Sequence, residues 1–206
     1  MKVPIDDTIW AAHYGSLAAV QAAFDRFGPE YHQAILATGV PARAAEALGP
    51  HLDPGGQGID FGCGSGVLGI ALRNLGVRLP LDGLDLSPVM LDLAQETGCY
   101  RHLRRANLLA PQECPALPQP YDFAITLGLI GDYVPYYIAL PHIVSTLRPG
   151  ACLGFGVEER STPWRALEKL AAETGLALLS ETILPVPEGR LTEQAYHFFV
   201  ARRVEA

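Results

Sequence analysis

Gly58-Ile59-Asp60-Phe61-Gly62-Cys63-Gly64-Ser65-Gly66-Val67-Leu68-Gly69 decides how the rest of the chain is read. Gly58 to Phe61 is a short apolar run of strand length, and a helix-compatible run begins at Gly66. The glycines between them let the backbone turn sharply and leave no Cβ between it and a ligand. A helix starting near Gly66 aims unpaired backbone N–H groups at a negatively charged group. Asp85 closes the next strand candidate, where a carboxylate accepts both hydroxyls of a ribose. Together these features call for an adenosine-containing ligand. Two cofactors satisfy them, because Gly64-Ser65-Gly66-Val67-Leu68-Gly69 also fits the dinucleotide fingerprint GxGxxG.

Downstream, apolar strand candidates recur at Leu81 to Asp85, Tyr100 to Arg105, Phe123 to Leu127, Cys152 to Val157, Ala177 to Leu184 and Ala195 to Ala201. Helices are expected from Gly66 to Leu75, Pro88 to Thr97, Tyr136 to Leu147 and Pro163 to Thr174. Capping residues precede the prolines at 88 and 163, Gly98 and Gly175 stand at stops, and Pro141 is a candidate kink. Alternation of this kind predicts a mostly parallel sheet with helices on both faces. The last two strands are joined by a stretch containing Pro185, Pro187 and Gly189, too short for a crossover helix, so they are expected to pair antiparallel at one end of the sheet.

Upstream, Thr8 to Leu52 is Ala-rich with helical spacing, and breaks are expected at Gly28-Pro29 and at Gly39 to Pro41. The 206 residues are 49% hydrophobic and 18% charged, which suits a compact α/β unit. A net charge of −7 disfavours nucleic-acid backbones and anionic membranes as partners. The one basic cluster, Arg101 to Arg105, reads as a charged outer strand that discourages edge pairing. Four scattered cysteines and six histidines show no metal-ligand spacing, and no apolar run is long enough for a signal or a membrane span. A cytoplasmic protein with reduced thiols and no metal is expected.

Gly58 to Gly66 resembles motif I of class I S-adenosylmethionine-dependent methyltransferases, of the small-molecule type. Leu84-Asp85-Leu86-Ser87-Pro88-Val89-Met90-Leu91 is similar to that family's second motif, and Arg105-Ala106-Asn107-Leu108 stands where the family usually has Asp. Tyr121 to Gly128 resembles its fourth strand, Leu147-Arg148-Pro149-Gly150 resembles its turn before strand five, and Phe24 to Tyr31 is similar to a leader segment of its small-molecule members. The resemblance implies a Rossmann-like, seven-stranded, mostly parallel α/β sheet with a terminal antiparallel pair. Residues 1–52 would form an N-terminal helical cap or lid and residues 53–206 the cofactor-binding core, as one structural unit.

It further implies that Gly62, Cys63, Gly64 and Gly66 lie along the methionine part of S-adenosylmethionine, with Asp60 orienting its amino group. Asp85 would take the ribose, Leu86 and Met90 would wall the adenine, and Asn107 with Leu108 would meet its edge. Leu127 and Gly128 would lie near the sulfonium, and Tyr31 would close over the methionine carboxylate. The product would be S-adenosylhomocysteine.

Methyl transfer from a sulfonium is an in-line displacement that makes orientation the main task and a base optional. Candidates for handling an acceptor proton are Tyr31, Asp132, Tyr133 and Glu158, with Glu159, His13, Tyr14 and His32 as further polar groups at the mouth. Tyr133, Tyr136 and Tyr137 would either line an apolar acceptor pocket or pack the cap onto the sheet. The expected partner is a small-molecule acceptor. Two other readings stand beside this one: an NAD(P)-dependent oxidoreductase using Gly64 to Gly69, and a cofactor-binding partner without catalysis.

Overall fold

The computed structural model describes residues 16–115, 117, 120–130, 133–158, 164–186 and 195–204, with side chains apart from those of 158 and 164–168. Seven strands form a single sheet: β1 (Gly58–Phe61), β2 (Leu81–Asp85), β3 (His102–Arg105), β4 (Tyr121–Leu127), β5 (Leu147–Glu158), β6 (Leu176–Leu184) and β7 (Tyr196–Arg203). Their order is β3-β2-β1-β4-β5-β7-β6. β1 to β5 pair in parallel, whereas β7 pairs antiparallel with both β5 and β6. The expected terminal antiparallel pair is therefore present, with β7 inserted between β5 and the edge strand β6.

Helices cover both faces. One apolar layer joins α2 (Val40–Leu48), α3 (Val67–Asn74) and α4 (Pro88–Glu96) to the sheet through Leu48, Leu68, Leu72, Ala94, Phe123 and Phe198. The opposite layer joins α5 (Tyr136–Thr146) and α6 (Trp164–Glu173) through Leu140, Ile143, Ala171, Phe61 and Phe155. Both run as continuous cores, which is what an alternating strand and helix pattern with nearly all-apolar central strands produces.

The leader corrects one expectation. α1 runs unbroken from Leu17 to Thr38, through Gly28 and Pro29, and stops at Gly39, whose φ of 68° serves both as its C-cap and as the start of α2. Gly28 is a point of close approach. A Cβ there would stand 3.0 Å from Val89 Cγ1 and 3.1 Å from Leu93 Cδ1, so the missing side chain lets α1 lie directly on α4. Pro29 costs the helix one donor, and packing against α4 compensates. Pro141 likewise sits within α5, on an exposed face, without ending it.

A second correction concerns Leu147 to Gly150, which is no separate turn but the irregular start of β5. The register with β4 shifts between Tyr121↔Leu147 and Phe123↔Cys152, and Gly150 sits at φ 79° inside the bulge. Arg148 pins the bulge by ion pairs to Asp122 and Asp53. β3 begins two residues later than expected, at His102, because Tyr100 turns into the core instead of joining the ladder.

β3 is an outer strand, as the basic cluster suggested, yet its charges are engaged. Asp82, 2% exposed at the amino end of β2, accepts from Arg101 Nε at 3.0 Å, Arg101 Nη2 at 2.9 Å and the Tyr121 hydroxyl at 2.9 Å, and faces His102 Nδ1 at 3.0 Å. Burial alone would raise this carboxyl, and these donors hold it below the usual carboxylate range. Asp82→Ala would leave the Tyr121 hydroxyl buried without its acceptor. We expect a loss of about 2 kcal/mol in urea unfolding with ligand binding at the far end of the sheet unchanged. A change under about 0.5 kcal/mol would mean that the network is ornamental.

Candidate active site

The carboxyl ends of β1, β2 and β4 open under α1, the position at which open α/β sheets bind ligands. Two cavities lie there. The larger, about 320 Å3, is lined by Asp85, Leu86 and Met90 from β2 and α4, by Asn107 and Leu108 after β3, and by Phe24 and Tyr31 from α1. The smaller, about 70 Å3, holds Asp60, Cys63 and Ser65 together with Ile35, Val186 and Tyr196. Both share Tyr31, Gly62, Gly64, Leu127 and Gly128, so the glycine loop and the end of β4 form the seam between them.

The glycine loop is braced from beneath. The N–H groups of Gly62 and Cys63 both donate to the Leu84 carbonyl, at 2.8 and 2.9 Å, and Gly66 N–H donates to the Cys63 carbonyl at 2.9 Å. Gly62, Gly64 and Gly66 have φ of 72°, 49° and 80°, all in the left-handed region that an L side chain resists. Gly66 therefore caps the start of α3 without a side-chain hydrogen bond, and Ser65, Val67 and Leu68 at this helix start form a wall of the smaller cavity. Ser65, 1% exposed, lines the same wall, and its hydroxyl has no hydrogen-bond partner among the described residues.

Two carboxylates stand on opposite sides of the seam. Asp85 Oδ2 accepts from Gly64 N–H at 2.8 Å, and its Oδ1 accepts from Ser87 N–H at 2.9 Å. Burial raises its pKa, and these backbone donors offset part of the rise. The carboxylate, braced in this way by backbone donors, lines the larger cavity. Asp60, 1% exposed, accepts from the Tyr100 hydroxyl at 2.8 Å. Its pKa is raised to about 7, the net of burial, which pushes it up, the Tyr100 bond, which pulls it down, and the nearby Asp85 charge, which adds to the rise. Burial also pushes up the Cys63 thiol, so Cys63 fills space as a neutral group.

α1 is latched to this floor. The Ser87 hydroxyl, which caps α4 by accepting from Met90 N–H at 3.1 Å, donates to Asp25 Oδ1 at 2.5 Å. Arg105 Nη2 donates to Gln21 Oε1 at 2.8 Å while its Nε donates to the Leu86 carbonyl at 3.1 Å. Phe24 meets Tyr31 and Tyr133 edge to face, with ring centroids at 5.3 and 5.4 Å.

All of the residues expected at a cofactor seat, except Cys63, Gly66 and Asp60, line the larger cavity. Cys63 and Asp60 line the smaller, and Gly66 lies at the helix start behind it, against Ala94, Thr97 and Tyr100. Met90 is both core, at 1% exposure, and cavity wall. Asn107 Oδ1 already accepts from Leu109 N–H at 3.0 Å, which fixes the side chain at the rim. Among the proton-handling candidates, Tyr31 and Tyr133 line the larger cavity, whereas His32 lines neither. Asp132, Glu159, His13 and Tyr14 lie outside the described residues, as does the side chain of Glu158, the last residue of β5. Of the aromatic run, Tyr133 faces the cavity, Tyr136 packs on the core and Tyr137 is 62% exposed.

Sequence reasoning did not place Leu17, Val20, Gln21 and Phe24 in the cleft, nor Ser65 and Tyr196. The first four share a helical face with Tyr31, at spacings of three, four and seven, a signal that was legible once the helix was read without a break.

A family described as a methyltransferase domain matches residues 32–199. The chain belongs to this methyltransferase family. Human methyltransferase-like protein 27 is 30% identical over 155 residues, covering 72% of this chain and 62% of its own length. The ribosomal protein L11 methyltransferase of Thermus thermophilus is 39% identical over 83 residues, covering 40% of this chain and 32% of its own length. The chain thus spans less than two thirds of either relative. The solved structure of Burkholderia thailandensis 1,6-didemethyltoxoflavin-N1-methyltransferase, with 1,6-didemethyltoxoflavin and S-adenosylhomocysteine bound, superposes with a TM-score of 0.68 at 18% identity, covering 95% of this chain and 89% of that one, a shared fold.

The sheet order and flanking helices give the class I methyltransferase fold that the resemblance implied. A Cβ at Gly69 would lie 2.9 Å from Cys99 Cβ and Tyr100 Cε2, so this glycine serves helix packing, a role the dinucleotide fingerprint shares. The dinucleotide reading of Gly64 to Gly69 is set aside on the sheet order. The inserted antiparallel β7 departs from the all-parallel dinucleotide order. No helix among the described residues is long and apolar enough to cross a membrane, and no group of three or more potential metal ligands occurs among them.

Proposed function

We propose that this methyltransferase seats S-adenosylmethionine across the seam of the two cavities and transfers its methyl group to a small-molecule acceptor. The supporting observation is the placement of one carboxylate in each cavity, the half-buried Asp85 and the buried Asp60, on either side of a shared glycine loop. Asp85 suits the ribose hydroxyls, and Leu86, Met90, Asn107 and Leu108 suit the adenine. Asp60 suits the ammonium of the methionine part. The start of α3, free of a side-chain cap and with the Ser65 hydroxyl beside it, suits the carboxylate. Leu127 and Gly128, on the seam, then lie beside the sulfonium, Tyr31 closes over the methionine part, and α1 serves as the lid.

In this arrangement the acceptor's lone pair attacks the methyl carbon in line with the breaking C–S bond. The bonding electrons go to sulfur, leaving a neutral thioether. The leaving group is already activated, so the chain's contribution is alignment and exclusion of water. Tyr31 and Tyr133 are the described groups able to take an acceptor's proton at the rim.

A small acceptor is favoured because α1, with Phe24 and Tyr31, stands on the wall of the donor's cleft. The Burkholderia methyltransferase, similar over nearly the whole chain, carries a small heterocycle. A protein acceptor is the second reading, favoured by the shorter matches to ribosomal protein L11 methyltransferases. Calorimetry with S-adenosylmethionine, S-adenosylhomocysteine, NADH and NADPH tests the seat, and binding of the nicotinamide cofactors alone would overturn it. Release of S-adenosylhomocysteine with a panel of small amines, phenols and thiols, against ribosomal protein L11, tests the acceptor. Turnover confined to the protein would replace our reading with the second one.

A further inference from the structure

We propose that the hydroxyl of Tyr196 faces the transferable methyl of the donor and distinguishes S-adenosylmethionine from its demethylated product. The inference rests on the cofactor seat proposed above.

β7 is the one strand of the sheet that runs against the others, so its amino end arrives where the parallel strands have their carboxyl ends. Tyr196 is its first residue and the only position of β7 on the wall of either cavity. It shares a sheet face with Phe198 and Val200, which are fully buried under α2 and α3. What separates Tyr196 from Phe198 is the ring hydroxyl, and that hydroxyl points at the seam. A carbon built in the position of a Gly128 Cβ lies 3.7 Å from Tyr196 Oη. The absent side chain of Gly128, at φ 69°, thus leaves a methyl-sized space between the end of β4 and a phenolic oxygen.

The other polar side chains of the smaller cavity stand elsewhere on its wall. Asp60 and Ser65 stand on the glycine-loop side, toward the methionine part. Thr38 Oγ1 donates to the Ile35 carbonyl at 2.7 Å and accepts from Val40 N–H at 3.1 Å. Tyr31 comes from α1, above. Tyr196 stands on the β4 side of the seam, beside Gly128. A methyl bound to a sulfonium carries part of the positive charge on its hydrogens, and an oxygen in contact with it gains a C–H···O attraction that a neutral thioether lacks. A phenol accepts in this way whatever its own proton is bonded to.

The test is calorimetric titration of S-adenosylmethionine and S-adenosylhomocysteine into the wild-type chain and Tyr196→Phe, which keeps the ring and its packing. The variant is expected to bind S-adenosylmethionine about 2- to 5-fold more weakly and S-adenosylhomocysteine with unchanged affinity. With donor labelled by 13C at the methyl, the bound methyl proton resonance is expected to move upfield in the variant, a signature that loss of packing alone would not produce. Equal weakening of both ligands, or an unmoved resonance with unchanged affinity, would overturn the role of Tyr196 alone. A wild-type chain that binds neither ligand would overturn the cofactor seat, and this role with it.

Discussion

Asp85→Ala is expected to weaken S-adenosylmethionine binding by two to three orders of magnitude. Two effects combine. A carboxylate bridging both ribose hydroxyls makes two charge-assisted hydrogen bonds, each contributing roughly 1.5–3 kcal/mol. The same carboxylate also braces the glycine loop on which we propose the methionine part lies, through Gly64 N–H at 2.8 Å and Ser87 N–H at 2.9 Å. Alanine removes both the ligand contact and the brace. Asp85→Asn separates them, because an amide oxygen still accepts from one backbone N–H while the charge is lost. It should fall between wild type and alanine in affinity. Calorimetry on both variants, with unfolding curves to confirm the native state, gives the comparison. If Asp85→Ala bound the donor within threefold of wild type, the ribose would lie elsewhere.

Asp85 and the glycine loop were legible because their chemistry is local. A short strand, three glycines with left-handed φ and an acid closing the next strand can be read without knowing how distant segments meet. The parallel order of β1 to β5 followed from alternation, and the antiparallel β7 from the lack of room between two apolar runs. The roof of the site was not legible in the same way. Gly28-Pro29 reads as a break because both residues disfavour an isolated helix, yet packing of Gly28 onto Val89 and Leu93 overrides that preference. Splitting α1 there cut Phe24 off from Tyr31 and hid the face formed by Leu17, Val20 and Phe24. Tyr196 failed to declare itself for a different reason. Its strand and its pairing were expected, but only the register, Glu158↔Tyr196 and Leu184↔Tyr196, brings it to the seam beside Gly128. The bulge at Leu147 to Gly150 depends on ion pairs from Arg148 to Asp53 and Asp122, one of them distant in sequence, which no local pattern displays.

Asp60 carries the second large effect, and its sign can be worked out from burial. Its carboxyl is raised from 3.8 to about 7 in the fold, chiefly because burial penalises the charge. A folded pKa above the unfolded one means that the native state holds the proton more tightly. The corresponding stability is fully present below pH 3.8, shrinks as pH rises toward 7, and is gone above that. At pH 8 the ligand-free enzyme therefore carries a buried charge whose cost is on the order of 2–4 kcal/mol. Asparagine would carry no charge and would still accept the Tyr100 hydroxyl. Asp60→Asn is expected to raise ligand-free stability at pH 8 by that order and to change little below pH 4. The donor's ammonium reverses the balance, because it pairs with the ionised carboxylate and offsets the burial cost. Wild-type affinity for S-adenosylmethionine should therefore rise about tenfold per pH unit up to pH 7 and level off above it. Asp60→Asn should lose that slope and bind about 100-fold more weakly at pH 8. Urea unfolding at pH 4 and 8 and calorimetry between pH 6 and 8 measure both halves. A variant less stable than wild type at pH 8, or one that keeps the wild-type slope, would show that the charge on Asp60 is not what the cofactor's amino group meets. The gain in stability and the loss of affinity come from one atom-for-atom exchange, as expected of a buried acid kept for a cation that completes the site.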